Sequence, residues 1–529
     1  MHIVRIGDGS TKPHSAETVG AKAANLARMA ALGLPVPPAF VLPVELCAAI
    51  VRDDSHAKQK LTDGLSEGIA FLEKATGKLF GDRRRPILVS VRSSAARSMP
   101  GMLDTVLNVG CTSAAVHGLV RMTGHPCFAW DCRRRFLESY ASVALGVDPA
   151  SFAGRLAELL AAEGVASEQA LDGEAIERLA ESYLQMIEDE DCIVSEDPME
   201  QLETAVQAVY RSWTSERACT YRRLEHLEDL HGTAVTVQAM VFGNRGLSSG
   251  AGVAFSRDPS TGAAQPIIDI LFGSQGNGVV SGNRTPETEE AIDRSVPAVA
   301  TQLRETLARL EKEFDDVQDV EFTIEEGKLW FLQTRSAKRT PQAAIRFAID
   351  FVKEGLITPS RALRRLNGLD LDKLARKRLV DVHEPAARGT GASAGIAVGR
   401  AAFDSRSAER LAAGGDPIIL VRPDTSTGDV AGFAVSAGIV TAIGGRTAHA
   451  ALIARQMGKP CVVGCAGLNV DVASHRAQLG VTAIKEGDWL SIDGEMGTIY
   501  LGQCNVVVDQ PEAELAEIER WRTKSLEHS

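Results

Sequence analysis

Long blocks of glycine-rich, strand-like sequence alternate with charged, helical blocks along this chain, and that alternation implies several α/β and α+β domains. Residues 21–32 have helical spacing and stop at Gly33, ahead of Pro35-Val36-Pro37-Pro38. Residues 87–92 read as a buried strand that runs into a Ser/Gly-rich loop, 93–101. From 112 to 229 the pattern is helical and charged, and at 232–284 strands and glycines return. A helix over about 286–313 then precedes a hairpin, 320–324 and 328–333, around Glu325-Glu326-Gly327. Residues 340–378 look like a helical connector, and a compact unit rich in small and β-branched residues follows, with strands at 417–422 and 438–442. Residues 511–529 suggest an amphipathic helical tail. No internal repeat or low-complexity segment interrupts this order.

At 529 residues the chain exceeds what one core supports, and about three domains are expected. A net charge of −12 argues against broad binding to nucleic acid or membrane surfaces. The basic runs Arg83-Arg84-Arg85 and Arg133-Arg134-Arg135 read as solvated faces or as anchors for one small anion. Nine cysteines, an odd number without paired CxxC spacing, form no zinc set and read as reduced, mostly buried thiols. Met1-His2-Ile3-Val4-Arg5 lacks the apolar core of a signal peptide, and no apolar run reaches membrane-spanning length. A cytoplasmic location is the expectation.

Chemistry concentrates in the block Gly444-Gly445-Arg446-Thr447-Ala448-His449-Ala450-Ala451. A neutral imidazole at the mouth of a helix can take up a phosphoryl group, with backbone N–H groups and the positive dipole end facing the new dianion. The helix then stops at Gly458, before Lys459 and Pro460. On spacing alone, a single histidine beside a turn is more often structural.

Two upstream groups carry further charge. Lys22, early in a helix, and Arg92, at the end of a buried strand, could together hold a polyphosphate, one as a point charge and one as a fork. Each alone reads as a surface or helix-end charge. The loop Met99-Pro100-Gly101-Met102-Leu103-Asp104-Thr105 adds backbone donors that could close over phosphates. On the hairpin, Asp319 and Glu321 share one face, as do Gln333 and Arg335. That set suits Mg²⁺ bridging nucleotide phosphates, and it equally suits a cross-strand ion pair on a solvated hairpin.

Over nearly all of residues 1–505 the sequence resembles the pyruvate, phosphate dikinase family. The matching blocks are GAKAANLARMAALGLPVPPAF, VSVRSSAARSMPGMLDTVLNVG, GTAVTVQAMVFGN, GAGVAFSRDPSTG, VEFTIEEGKLWFLQTRSAKRT and GGRTAHAALIARQMGKPCVVG. The resemblance implies an ATP-grasp nucleotide-binding domain over 1–339 with a helical insert at about 112–229. A helical linker at 340–385, a swivelling phosphohistidine domain at 386–505 and a C-terminal tail at 506–529 complete the expected order. It implies that ATP phosphorylates His449 through its β-phosphate, while the γ-phosphate passes to inorganic phosphate. Lys22, Arg92, Gly101, Thr105, Asp319 and Arg335 would then bind ATP, and Glu321 and Gln333 would hold Mg²⁺. Thr447 stands where some members carry a regulatory threonine. The resemblance also allows a homodimer.

Some positions depart from the family pattern. Gln275-Gly276-Asn277-Gly278 replaces Gln-Gly-Glu-Asp, and Asp269 stands where a glutamate is usual. Ile443 replaces a common arginine and Ala448 a common serine, while Arg446 is similar to phosphoenolpyruvate synthases. These changes bear on whether phosphate or water receives the γ-phosphate. The dikinases continue into a (β/α)₈ barrel of roughly 250 residues, whereas only 28 residues follow Leu501. The expectation is therefore a nucleotide half-reaction, with a separate acceptor subunit, a different acceptor molecule or a shortened chain. The alternative is a non-catalytic nucleotide sensor or scaffold that keeps the fold.

Overall fold

The computed structural model describes residues 3–97, 99, 102–224, 226–275, 284–369, 376–425 and 429–527. It is a mixed α/β protein of two compact units, Met1–Val241 with Trp330–Gln333, and Phe242–Leu329 with Thr334–Ser529.

The first unit is built on a five-stranded sheet in the order Val4–Ile6, Ala39–Leu42, Thr233–Ala239, Val89–Ala95, Thr105–Val109. Ala39–Leu42 and Thr233–Ala239 are buried along their whole length, and Val89–Ala95 is buried except at Arg92. The helix Ala16–Ala31 lies against Val89–Ala95 and breaks at Gly20, whose φ of 78° and ψ of 158° are not helical. A Cβ at Gly20 would sit 1.8 Å from the Ser94 carbonyl oxygen, so only glycine permits this approach. The Ala23 N–H then donates to Ser94 Oγ at 3.2 Å, which caps the second, straight part of the helix.

Between the strands at 105–109 and 233–239 the chain is helical, as the charged pattern predicts: Ser113–Thr123, Pro126–Tyr140, Pro149–Glu163, Gly173–Asp189, Pro198–Arg211 and Glu216–Leu224. The run at 133–135 departs from the expected solvated face. Arg133 and Arg134 are only 3% and 4% exposed. Arg133 donates to the Cys111 carbonyl and pairs with Glu196 at 2.6 Å. Arg134 and Arg135 both engage Asp131 and Glu168 at 2.7–3.0 Å. Internal carboxylates thus satisfy the charges that would otherwise need water.

In the second unit Gly250–Phe255, Ile267–Phe272 and Gln318–Glu325 form an antiparallel sheet, with Lys328–Ser336 at its edge in the order 328–336, 318–325, 250–255, 267–272. The hairpin turn uses two left-handed residues, Glu326 at φ 49° and Gly327 at φ 76°, matching the strand twist. An eight-stranded sheet follows in the order Ala387–Arg388, Thr498–Leu501, Trp489–Asp493, Ile396–Ala402, Ile418–Arg422, Gly438–Thr441, Cys461–Val463, Thr390–Ser393. Its middle is parallel and its flanks antiparallel.

The chain reaches this sheet through Arg376–Val380 and leaves it through Asn505–Asp509, and those two strands pair antiparallel. The stretch after residue 340 is helical, at Pro341–Lys353 and Pro359–Leu366. It is also buried: Phe347, Ile349 and Phe351 share a core with Phe255, Val317, Ile518 and Trp521. The last two belong to the terminal helix Glu512–Glu527, which folds back onto this stretch.

Candidate functional site

In the first unit the Gly20 break places Lys22 at the start of the straight helical segment, beside the strand that carries Arg92. Lys22, Arg92, Ser93, Thr236, Gln238 and Gln333 line one narrow crevice. Arg92 donates to Gln333 Oε1 at 3.4 Å, and Thr105 sits directly across from Arg92 in the sheet. The structure therefore brings together four of the sequence-predicted residues, Lys22, Arg92, Thr105 and Gln333. Gly101 lies outside the described residues, as do Gly276, Asn277 and Gly278.

Within the second unit, Asp319 and Glu321 both face Arg335. Arg335 Nε donates to Asp319 Oδ2 at 2.9 Å, and its Nη2 is 3.7 Å from Glu321. A cross-strand ion pair is thus present, but its acidic end is withdrawn from solvent: Asp319 is 2% exposed, while Arg335 is partly exposed. Burial pushes the Asp319 carboxyl upward, and Arg335 opposes that shift. Asp319 Oδ1 is buried and has no hydrogen-bond partner among the described residues. The same residues contain no group of three or more His, Cys, Asp or Glu side chains suited to a metal ion. Glu321 and Gln333 do carry the hard oxygen donors that Mg²⁺ prefers when phosphate and water supply the remainder.

The histidine loop belongs to the second unit as well. The helix His449–Gln456 begins on the nucleophile candidate itself, and its N-cap Ala448 offers no side-chain cap. Its first N–H groups are therefore left for other acceptors. Burial pushes the His449 imidazole below its ordinary value, with Asp429 opposing. The ring is thus neutral near pH 7, and its buried Nε2 has no partner among the described residues. Phe433 stands edge-on to it, 6.5 Å between centroids.

The glycine pair ahead of the histidine has a steric origin. Gly444 has φ 112°, and a Cβ on Gly445 would lie 2.3 Å from Pro286 and 2.7 Å from Asp269 Oδ2. That same Asp269 oxygen accepts from the Thr447 N–H at 3.0 Å and from its hydroxyl at 3.1 Å. Sequence reasoning marked Asp269 only as a departure from a pattern and did not find this contact. It also missed Asp429 and the buried Arg455. An arginine directly after the apolar run Ala450-Ala451-Leu452-Ile453-Ala454, one turn from Ala451 on the same helix, was the available signal. All nine cysteines are free; five are buried and Cys127 is exposed.

Comparison with known proteins now places this architecture. Residues 55–299 and 288–355 match the family described as Pyruvate phosphate dikinase, AMP/ATP-binding domain. Residues 414–497, which include His449, match PEP-utilising enzyme, mobile domain. The chain belongs to the pyruvate, phosphate dikinase family. It is 40% identical over 518 residues to pyruvate, phosphate dikinase of Clostridium symbiosum, covering 96% of this chain and 59% of that protein. It is 41% identical over 490 residues to the chloroplastic enzyme of Flaveria trinervia, covering 92% and 51%. For the Rhizobium meliloti (strain 1021) protein the figures are 38% over 538 residues, 98% and 60%. The chain thus spans between half and three-fifths of the length of these curated relatives. Among the described residues no helix is long and apolar enough to cross a membrane.

Proposed function

We propose that this chain transfers a phosphoryl group from ATP to His449, as the nucleotide half of a pyruvate, phosphate dikinase-type reaction. The observation that carries the proposal is the setting of His449: a buried Nε2 with no partner among the described residues, at the uncapped mouth of a helix, on a ring whose burial favours the neutral form. A neutral imidazole is a nucleophile, and the helix mouth favours the dianion it would acquire.

In this reading Nε2 attacks the β-phosphorus, and the bond to the α–β bridging oxygen breaks, so AMP leaves with that oxygen. The β–γ bridge then breaks as the γ-phosphoryl passes to inorganic phosphate, giving pyrophosphate, or to water, giving phosphate. Lys22 and Arg92 would hold the polyphosphate in an ATP-grasp-like fold, and Thr105 and the residue-101 loop would close over it. Asp319 would keep Arg335 oriented toward the nucleotide. Mg²⁺, held through Glu321 and Gln333, would neutralise phosphate charge when bound.

The onward acceptor would be pyruvate, the compound named for the relatives, supplied by a further domain or a separate acceptor subunit; a different small molecule would fit the same donor. The 386–505 domain would swivel to deliver the group. Thr447, if modified for regulation, would first have to leave Asp269. A homodimer and a cytoplasmic location fit this proposal.

The test is incubation with Mg²⁺ and ATP labelled at the β-phosphate or, separately, at the γ-phosphate, with and without phosphate. AMP and an acid-labile phosphoprotein are expected from the wild type and neither from His449→Ala. Label in pyrophosphate identifies phosphate as co-substrate, and label in free phosphate identifies water. Equal behaviour of the two proteins ends the proposal.

A further inference from the structure

Arg455 is a full charge in the core of the histidine helix. It is 1% exposed and lies six residues beyond His449. Nη1 donates to the Ala392 carbonyl at 2.9 Å and to the Arg446 carbonyl at 2.7 Å. The guanidinium also stands 5.1 Å from the centroid of the Phe255 ring. Nε and Nη2 are buried and have no hydrogen-bond partner among the described residues.

Asp319 has the complementary deficit. Its Oδ2 accepts from Arg335, and its buried Oδ1 accepts from no described residue. Phe255, the ring that the Arg455 guanidinium faces, is the direct cross-strand partner of Asp319. Buried donors and a buried acceptor of opposite charge, all unmade, lose their solvation without return.

We propose that Arg455 is a positioning residue for phosphorylation of His449, closing on Asp319 Oδ1 directly or through one water. The inference rests on the reading of His449 as nucleophile. Arg446, whose carbonyl Arg455 holds, lies three residues before His449, so the guanidinium fixes the turn that aims the ring. The chain Arg446 carbonyl, Arg455, Asp319, Arg335, Glu321 is then a continuous relay. It ties the pose of the histidine to the hairpin carboxylates. A relay of this kind is shown only by coupling between its members.

The test uses the full chain with Arg455→Met, Arg455→Lys, Asp319→Asn and the Met/Asn double variant. Hydrogen exchange at residues 444–449 is read first, without nucleotide. Arg455→Met and Asp319→Asn should each raise it about tenfold, and the double variant no further than the larger single change. Single-turnover phosphorylation of His449 should fall about 10–100-fold in Arg455→Met. KM for ATP should stay within about threefold of wild type, since uniform binding is not what is lost. Arg455→Lys should restore part of the rate.

Unchanged exchange at 444–449 in Asp319→Asn overturns the proposal, as does a double variant whose losses multiply. A rise in KM without loss of rate does the same. If Arg455→Met does not fold, Arg455→Lys and Asp319→Asn carry the exchange comparison. If wild type forms no phosphohistidine, the functional reading fails, and the exchange coupling alone decides the Arg455–Asp319 link.

Discussion

Thr447 places both of its donors, the backbone N–H and the hydroxyl, on a single oxygen of Asp269, a residue 178 positions earlier in the chain. The Asp269 carboxyl is pushed upward by burial, and the nearby Arg446, with these two hydrogen bonds, holds it back. The loop ahead of His449 is therefore fixed by a polar contact in a dry place, where a missing partner is costly.

Removing the hydroxyl should show that cost. Thr447→Val is expected to destabilise the protein by about 1–2 kcal/mol, because Asp269 loses a donor it cannot replace with water. Thr447→Ser keeps the donor and should stay within about 1 kcal/mol of wild type. Urea unfolding of the two variants checks the difference.

The break at Gly20 makes a second demand. Gly20→Ala places a methyl 1.8 Å from the Ser94 carbonyl at a positive φ, so the helix must move off its strand. A loss of about 2 kcal/mol or more is expected from strain and lost packing together. Because the same break places Lys22, ATP binding measured by calorimetry should weaken as well.

A third expectation concerns pH. The phosphorylation rate should be flat near neutrality and fall on the acid side with a midpoint below the ordinary histidine value of about 6.5. The sign follows from burial, which favours the neutral ring and lowers the His449 pKa. Asp429 favours the charged ring, so Asp429→Asn should move the midpoint further down. Rates of acid-labile phosphate formation between pH 5 and 8 check both statements.

The buried arginines of the helical insert offer a fourth. Arg134→Ala leaves Asp131 with one fewer cation in a closed site and should cost about 3–5 kcal/mol. Arg134→Ala with Asp131→Ala should recover part of that loss, since the carboxylate left with Arg135 alone is gone. Thermal unfolding of the single and double variants makes the comparison.

Local chemistry made much of this protein legible. Glu325-Glu326-Gly327 signalled its hairpin because two left-handed residues in sequence leave few other conformations. The histidine helix signalled its start by glycines and its end by Gly458 and Pro460, and it forms at His449–Gln456. Partners distant in sequence were not legible. Arg133-Arg134-Arg135 looks solvated because nothing in a run of like charges shows that Asp131, Glu168 and Glu196 will surround it. Asp269 and Thr447 are joined by the fold alone. The helices after residue 340 have the charge of a connector, and their apolar faces find Ile518 and Trp521 only after the chain returns.

That return bears on the swivel proposed for the histidine domain. Its incoming and outgoing strands, Arg376–Val380 and Asn505–Asp509, are bonded into one two-ply ribbon, with Arg378 paired to Asp509 at 3.0 Å. A single-strand tether leaves rotation open about every axis. A hydrogen-bonded ribbon resists shear in its own plane and yields mainly by bending across its face and by twisting. The phosphoryl group on His449 would therefore move along an arc, like a gate on a strap hinge, and an acceptor would have to stand on that arc.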